Sequence, residues 1–491
     1  MNVDQINERL KAQAADPVAF MKQLPYKWDA DGQPAPVTTA FEAADIQSRR
    51  FVTAADEVRR QIFAVQDGVI VALEDVMPGR APFEQNDLVE NLADRVGHRT
   101  LASIAAAGLT EATLPESPWS DDYWAIYLGQ LGKRYADPEF PHAHDWQQNH
   151  NYVLDFPATD IVASGDVEAI NRLSPAEKYD LLVGDAGFGL TSYGWAQGRS
   201  YYEKKGEVET WMGLCHGWAP AAYMLPRPRK SVEVLAADGQ TKLTFYPADI
   251  KALATQLWAK ARTVSRFIGG RCNDKDPVVD ENGRPTSSRC FDTNPGTWHL
   301  AVVNQLGVAK RSFVLDATYD YEVWNQPAHA YRYHHVHPIT HQVAPLEEAI
   351  VPIDAVAGDR FARYRSARAR FLCGIHMQLA YVVETSPRPH PDDSPARDAI
   401  RWVEYVYDLE LDADGRIIGG EWHQAAHPDF LWTPPPGVKA ISPADRFSPG
   451  RWDDGEIVPT LWRLGARNAS SQGLPMARIV EGLIERANRP E

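Results

Sequence analysis

Apolar residues recur at helical spacing over much of the first hundred residues. In the segment 38–65, Thr38 or Thr39 could cap a helix, and the apolar side chains that follow are at helical offsets. A second helical pattern covers residues 86–108 and stops at Gly108. These patterns predict a helical N-terminal region.

The middle of the chain carries sharper helix signals. Ser174, Pro175 and Glu177 match a capping box with proline at the first helical position. The segment 246–270 places apolar residues on one stripe and ends at a Gly-Gly pair, which predicts one long helix.

The last third changes to a two-residue period. Residues 399–411 alternate apolar and acidic side chains and are followed by a turn at Asp414-Gly415, which predicts a β-hairpin. Residues 476–487 predict a final amphipathic helix. A proline-containing linker with a change of composition after Thr113 divides the chain into residues 1–113, the helical region, and residues 114–491.

Composition narrows the possible partners. The chain has 491 residues, 44% hydrophobic and 24% charged, with a formal net charge of -16. This charge argues against nucleic acid or an anionic membrane surface as the main partner. No apolar run is long enough to span a membrane, and the polar N-terminus does not resemble a secretory signal, so we expect a cytoplasmic or non-classically exported protein.

One of the four cysteines lies in WMGLCHGWAP, residues 211–220. The flanking glycines and the following apolar residues predict that a helix begins at or just after Cys215. A helix N-terminus lowers the pKa of a thiol, and its free N–H groups can hold an oxyanion. Two interpretations stay open, a catalytic cysteine and a buried structural thiol. His216 adjoins the cysteine but points away from the sulfur on a helix start, so a base would come from elsewhere.

The other cysteines and the histidines have structural interpretations. Cys272 and Cys290 flank a turn-rich segment, so they form either a disulfide or two unrelated buried thiols. Cys373 lies in an apolar run, which is typical of core packing. A histidine-rich segment is either a metal site or a solvated loop, and it contains His334, His335, His337 and His341. An acidic run lacks the calcium-loop pattern, and it contains Asp274, Asp276 and Asp280.

Two apolar runs, 298–306 and 311–318, predict neighbouring strands joined by a turn at Gly307-Val308. Pairing across that turn places His299 directly opposite Asp316, with Cβ atoms roughly 5 Å apart. An aspartate so placed would orient an imidazole toward a thiol. The alternative is a core histidine and an unrelated aspartate at a strand end.

Several motifs resemble the transglutaminase elicitor family, the cell-wall transglutaminases of oomycetes and their bacterial relatives. They include SPWSDDYW, LSPAEKYDLLVGDAGF, WMGLCHGWAP, NPGTWHL and GGEWHQAAHPDF, and they extend over roughly residues 115–440. VWNQP, residues 323–327, is similar to the opening of the surface peptide that plant immunity detects in the oomycete enzymes. The residues that follow, AHAYRYHH, depart from that peptide.

The resemblance implies a chemistry and a site. By motif, Cys215 is the nucleophile and His299 the base, and Asp316 completes a papain-like triad. The thiolate would attack a glutamine carboxamide of a protein or peptide, release ammonia, and pass the acyl group to a primary amine such as lysine. Trp211, Trp218 and Trp298 would wall the thioester from water, unless they are ordinary core aromatics.

The resemblance also implies the fold. We expect an α+β protein with a papain- or transglutaminase-like core, in which the helix after Cys215 packs on an antiparallel sheet. The helical N-terminal region would precede it, in one interpretation as a pro-segment. The chemistry requires no cofactor, and calcium is implied by the family alone. The resemblance also implies a secreted protein, in contrast to the expectation from the N-terminus. Two other functions stay open: a thiol hydrolase (peptidase, amidase or glutamine deamidase) with the same triad, and a non-catalytic elicitor-like surface protein that displays VWNQP.

Overall fold

The computed structural model describes residues 1–34, 63–66, 69–72, 87–270, 278–287, 290, 292–317 and 323–490. In these residues, helices pack around one large antiparallel β-sheet, and the predicted α+β class is confirmed. None of the described helices is long and apolar enough to cross a membrane.

The α-helices of the described residues are numbered in chain order. They are α1 (Val3–Ala15), α2 (Pro17–Met21), α3 (Leu101–Ala106), α4 (Trp146–Asp155), α5 (Ala158–Ser164), α6 (Val167–Asn171), α7 (Pro175–Val183), α8 (Gly189–Lys205), α9 (Cys215–Met224), α10 (Pro247–Lys260), α11 (Pro295–Val302), α12 (Leu346–Ala349), α13 (Thr460–Ser470) and α14 (Ala477–Ala487).

The strands are numbered in the same way. They are β1 (Lys27–Asp29), β2 (Phe63–Gln66), β3 (Val69–Ala72), β4 (Glu111–Thr113), β5 (Val232–Leu235), β6 (Lys242–Phe245), β7 (Arg266–Gly269), β8 (Val314–Asp316), β9 (Asn325–Val336), β10 (Val351–Pro352), β11 (Phe371–Val383), β12 (Ala399–Leu411), β13 (Ile417–Trp422) and β14 (Phe430–Thr433).

The large sheet runs in the order β1-β12-β11-β9-β8-β14-β7, with β4 also paired to β9, β10 to β11 and β13 to β12. Each of these pairs is antiparallel. Helix α9 packs on β9 and on α10. The predicted packing of the cysteine helix on an antiparallel sheet is therefore present.

Strand β12 has the predicted alternation, but both of its faces are buried. Its apolar side chains, including Tyr405 and Tyr407, belong to the core that the sheet shares with α11. On the opposite face, Glu404 accepts a hydrogen bond of 2.6 Å from Arg9 of α1, and Asp408 accepts one of 2.8 Å from Arg365. Paired cations replace water around these carboxylates, because a buried charge without a partner would be costly.

Residues 1–34 and 111–113 contribute to the same sheet as the later residues. Ile6 and Leu10 of α1 are fully buried against Val336 and Val406. Strand β1 pairs with β12, and β4 pairs with β9. The division of the chain near residue 113 stays a prediction, and so does a pro-segment role for the first region.

The helix predictions of the first half have mixed outcomes. Most of the helix predicted over 38–65 lies outside the described residues, but its last residues belong to strand β2. The helix predicted over 86–108 is a 3-10 turn followed by the short α3. The capping box of α7 is confirmed, because Ser174 Oγ accepts from the Glu177 N–H at 3.2 Å and Glu177 Oε2 accepts from the Ser174 N–H at 2.9 Å.

The predictions for the later residues also have mixed outcomes. The long helix predicted to reach residue 270 ends at Lys260, since residues 266–269 form β7 and pair with β14. The turn at Asp414-Gly415 joins β12 to β13, and the final amphipathic helix is α14.

The docking of α1 gives a testable prediction. Leu10→Ala should lower the free energy of unfolding by about 2–5 kcal/mol, because it leaves a cavity under a fully buried side chain. Val3→Ala, on the same helix but 42% exposed, is the matched control and should change it by less than about 0.5 kcal/mol. Urea unfolding of both variants measures the difference. If Leu10→Ala lowers the free energy of unfolding no more than Val3→Ala does, α1 is not part of the cooperative fold.

Candidate active site

The predicted helix start at the cysteine is confirmed: Cys215 is the first residue of α9. Two glycines allow close packing there. A Cβ on Gly213 would lie 2.4 Å from the Tyr123 carbonyl oxygen, and one on Gly217 would lie 2.3 Å from that of Thr255. Both glycines therefore let the start of α9 lie directly against neighbouring backbone.

The thiol of Cys215 is held by the residues just before β9 and by the first residue of β9. Its Sγ donates toward the Val323 carbonyl oxygen at 3.8 Å, and Asn325 Nδ2 donates to Sγ at 3.6 Å. Asn325 Oδ1 in turn accepts from Trp432 Nε1 at 2.8 Å, which fixes the orientation of the amide. The side-chain NH2 of Asn325 is therefore directed at the sulfur.

The environment favours the protonated thiol. Cys215 is 5% exposed, and burial raises its pKa to about 11, with the negative charges of Glu384 and Asp316 acting in the same direction. The hydrogen bonds from Asn325 oppose this shift. The shift is therefore opposite to the pKa lowering predicted for a thiol at a helix start, and desolvation is its largest cause.

Asp316 is brought near the cysteine by strand pairing. It is the last residue of β8, is fully buried, and lies opposite Asn325 in the β8–β9 ladder. Its Oδ1 accepts from the Trp324 N–H at 3.0 Å. The structure therefore brings together two of the three predicted triad residues, Cys215 and Asp316.

A second carboxyl group interacts with Asp316. The pKa of Asp292 is raised well above its ordinary value, first by burial and then by the charge of Asp316. The negative charge of Asp316 therefore disfavours ionisation of Asp292. His427 Nδ1 lies 3.7 Å from Asp292 Oδ2, and burial lowers the pKa of this imidazole to about 3.

Glu384 is a further carboxyl group near the thiol. It is 6% exposed and accepts from Gln326 Nε2 at 2.7 Å. Burial raises its pKa to about 7. Sequence reasoning missed Asn325 and Glu384, since their approach to Cys215 depends on contacts between residues far apart in the chain.

His299 lies elsewhere, and the predicted hairpin is wrong. Residues 295–302 form helix α11, which continues as a π-helix to Val308, so no strand faces β8 across Gly307. His299 Nδ1 lies 3.0 Å from the Tyr407 hydroxyl, and His299 Nε2 has no hydrogen-bond partner among the described residues. Burial lowers its pKa to about 3, and the residue whose charge acts on it is His335, not Asp316.

The helix signal at His299 was present in the sequence. Asn294 Oδ1 accepts from the Gly296 N–H at 2.9 Å, and Pro295 occupies the first helical position. An Asn-Pro pair is typical of a helix start. The apolar residues that follow this pair have no periodicity that distinguishes a helix from a strand.

The three predicted cleft tryptophans have different surroundings. Trp211 shares a cluster of buried side chains with Cys215. Trp218 donates to the Trp119 carbonyl oxygen at 3.0 Å in another part of the core, and Trp298 packs on Tyr405 with ring centroids 5.2 Å apart. The cluster around Cys215 instead contains aromatic residues that the sequence did not single out, among them Tyr123, Trp324 and Trp432.

The remaining cysteine and metal predictions are partly tested. Cys373 is fully buried in the sheet core, as predicted. Cys290 is buried, but Cys272 lies outside the described residues, and their disulfide stays a prediction. Within the described part of the chain, no group of three or more His, Cys, Asp or Glu side chains is arranged to hold a metal ion. Asp274 and Asp276 lie outside it, and the calcium of the resemblance stays untested.

The family model described as transglutaminase elicitor matches residues 98–442. The chain belongs to the transglutaminase elicitor family. The crystal structure of the GP42 transglutaminase from Phytophthora sojae is similar at 20% sequence identity, covering 76% of this chain and 94% of that one with a TM-score of 0.47. No curated protein sequence matches the chain.

In this member of the transglutaminase elicitor family, VWNQP is an interior segment. Val323, Trp324, Asn325 and Gln326 are each at most 2% exposed. Val323 and Asn325 contact the Cys215 sulfur. This segment therefore belongs to the cysteine site and is not displayed as a surface loop.

The charge of Glu384 gives a prediction for the thiol. Glu384→Gln removes a negative charge that disfavours the thiolate, so the pKa of Cys215 should fall. Alkylation by iodoacetamide, followed at Cys215 by peptide mass spectrometry across a pH series, should show its midpoint moving to lower pH. Glu348→Gln, an exposed acid outside the site, is the control. An unchanged midpoint in Glu384→Gln would contradict this electrostatic account.

Proposed function

We propose that the chain is a protein-glutamine γ-glutamyltransferase in which the sulfur of Cys215 is the nucleophile. The observation that carries the proposal is the placement of this thiol at the start of α9, held by Asn325 and acted on by the charges of Asp316 and Glu384. Membership in the transglutaminase elicitor family supports the same reaction class.

The first half-reaction needs an acceptor for the thiol proton. Asp316 is the proposed acceptor, because it is buried and its charge acts on the thiol. The sulfur then attacks the glutamine carboxamide carbon and forms a tetrahedral oxyanion. When the C–N bond breaks, the proton passes to the leaving nitrogen, ammonia departs, and a thioester remains on Cys215.

Asn325 has a second part in this proposal. Its NH2 donates at 3.6 Å to the sulfur, so the oxyanion oxygen of a carbon bonded to that sulfur would form close to this donor. The amide is held by Trp432, so little reorganisation is needed when negative charge appears. Asn325 would therefore stabilise both the thiolate and the tetrahedral intermediate.

In the second half-reaction a primary amine attacks the thioester carbon. The nitrogen forms the new amide bond, the C–S bond breaks, and one amine proton returns to the sulfur. Tyr123, Trp211 and Trp324 belong to the same buried cluster as Cys215, and water excluded from this cluster would favour transfer over hydrolysis. Because Cys215 is only 5% exposed, a glutamine side chain reaches it after some of these side chains move.

One prediction of the proposed function concerns the nucleophile. Cys215→Ala should abolish incorporation of n-butylamine into a glutamine-bearing peptide and the accompanying release of ammonia. Cys373→Ala is the matched control, since it removes another buried cysteine side chain, which lies in the sheet core, and should retain activity.

The two activities are read separately by mass spectrometry of the peptide and by an ammonia assay. Ammonia release without amine incorporation would identify a thiol hydrolase. Full activity in Cys215→Ala would contradict the proposed nucleophile.

A second prediction separates Asp316 from His299. Asp316→Asn should lower kcat by about 100-fold or more, since general acid–base catalysis of this kind contributes about 10²–10⁴-fold. His299→Gln removes an imidazole that contacts Tyr407 rather than the thiol, and should change kcat by less than about fivefold in the folded fraction.

Circular dichroism and urea unfolding check that both variants are folded. A large loss in His299→Gln with near-normal activity in Asp316→Asn would reverse the assignment and restore the triad role predicted from the sequence for His299.

A further inference from the structure

A cavity of about 260 Å³ lies between the N-terminal helices and the large sheet. Helices α1 and α2 contribute one wall, strands β9, β11 and β12 contribute another, and the segments 338–341 and 356–361 complete the lining. The cavity is slightly smaller than the roughly 300–1,000 Å³ of sites for drug-sized ligands. Its apolar lining includes Leu10, Val336, Ile375, Val406 and Phe361. It therefore suits a small molecule with an apolar body.

Arg360 in this lining has a side-chain donor without a partner. Its Nη1 donates to the Pro17 carbonyl oxygen of α2 at 2.9 Å, and its guanidinium carbon lies 4.4 Å from the centre of the Phe361 ring. Its Nη2 is buried and has no hydrogen-bond partner among the described residues. An unpaired buried donor is unfavourable, and more so when it is charged, so an acceptor beside Nη2 would be favoured.

The carboxylates around Arg360 are paired with other arginines. Burial lowers the pKa of the Arg360 guanidinium, and the charges of four carboxylates oppose that shift. Each of the four forms an ion pair of 2.5–2.9 Å with a different arginine. These pairs are Arg365 with Asp408 and Asp359, Arg363 with Asp280, and Arg284 with Glu421. Within the described part of the chain, Arg360 therefore has no carboxylate of its own.

The two histidines in the lining do not compete with Arg360 for an anion. His423 Nε2 donates to Asp408 at 2.9 Å, and His423 Nδ1 accepts from Gln13 Nε2 of α1, so both ring nitrogens are engaged. Burial lowers the pKa of His423 and that of His341, which keeps both imidazoles neutral at pH 7. Arg360 is therefore the charged donor that this cavity offers to a ligand.

We propose that this cavity binds a small apolar monocarboxylate, whose carboxylate pairs with Arg360 and whose apolar body lies between α1 and the sheet. A planar guanidinium matches a carboxylate, and one arginine balances one negative charge. The guanidinium turns toward the cavity when the anion binds, because protein atoms cover Nη2 in its absence. The site does not involve Cys215, so the inference goes beyond the proposed transferase function.

An occupant of this cavity would connect the N-terminal helices to the sheet. Leu10 and Gln13 of α1 and Pro17 of α2 line it together with Val406 of β12 and Ile375 of β11. A ligand that contacts both sides binds the docked arrangement better than an opened one. Binding therefore stabilises the docked α1 by mass action.

Titration calorimetry of the unsubstituted protein with sodium hexanoate tests the site directly. Hexanoate should bind, whereas hexan-1-ol, which lacks the charge, and acetate, which lacks the apolar body, should each bind about tenfold more weakly or worse. Arg360→Met should weaken hexanoate binding by about tenfold or more. Arg388→Met, at an exposed arginine elsewhere, is the matched control and should not weaken it. Urea unfolding checks that both variants are folded.

Three results of the calorimetry would overturn the inference. Absence of hexanoate binding, or equal binding by Arg360→Met, would mean that the guanidinium is satisfied by water rather than by a ligand. Equal binding of hexan-1-ol and hexanoate would mean that the cavity takes apolar molecules without recognising an anion. The comparison of hexanoate with hexan-1-ol uses the unsubstituted protein, so it decides the question even if Arg360→Met does not fold.

Limited trypsin digestion supplies a second readout. Cleavage after Lys11, an exposed residue of α1, requires local opening of that helix. Saturating hexanoate should slow this cleavage by about threefold or more in the unsubstituted protein and leave it unchanged in Arg360→Met. Cleavage after Lys204, an exposed residue near the end of α8, is the internal control and should not respond. An unaltered rate after Lys11 with hexanoate present would contradict the connection between ligand and α1.

Discussion

The antiparallel pairing of Asp316 in β8 with Asn325 in β9 is the contact on which the candidate site depends. It places the Asn325 amide on the sulfur of Cys215 and the Asp316 carboxyl group in the same buried environment. Neighbouring β14 contributes Trp432, which fixes the Asn325 amide. Three strands and the start of α9 therefore converge on one thiol, and none of these elements forms the site alone.

Burial gives this site its electrostatic character. It raises the pKa of the Cys215 thiol to about 11 and that of Glu384 to about 7, and it raises the pKa of Asp292 well above normal. All three groups therefore favour the protonated form.

Local sequence signals predicted the local parts of this architecture. The glycine-flanked motif placed Cys215 at a helix start, the capping box located α7, and alternation located β12. The Asn294-Pro295 pair is an equally local signal for a helix start, but the apolar run that follows it also fits a strand. His299 was therefore placed opposite Asp316 although it lies in a helix.

The non-local parts were beyond local patterns. Cys215 and Asn325 are 110 residues apart, and nothing in the spacing of either segment indicates that VWNQP covers the sulfur. The partners of buried charges are similarly distant, as when Arg9 of the first helix meets Glu404 of β12. Composition identifies such polar residues, but only tertiary packing decides which of them are buried together.

The central claim is that Cys215 carries the acyl group, and trapping that intermediate tests it most directly. The protein is mixed with a glutamine-bearing peptide in the absence of amine, quenched in acid and digested for mass spectrometry. The account predicts that the fragment containing Cys215 gains the mass of the peptide less ammonia, and that hydroxylamine removes the adduct. Ammonia release with the adduct on another residue, or with none on Cys215, would contradict it.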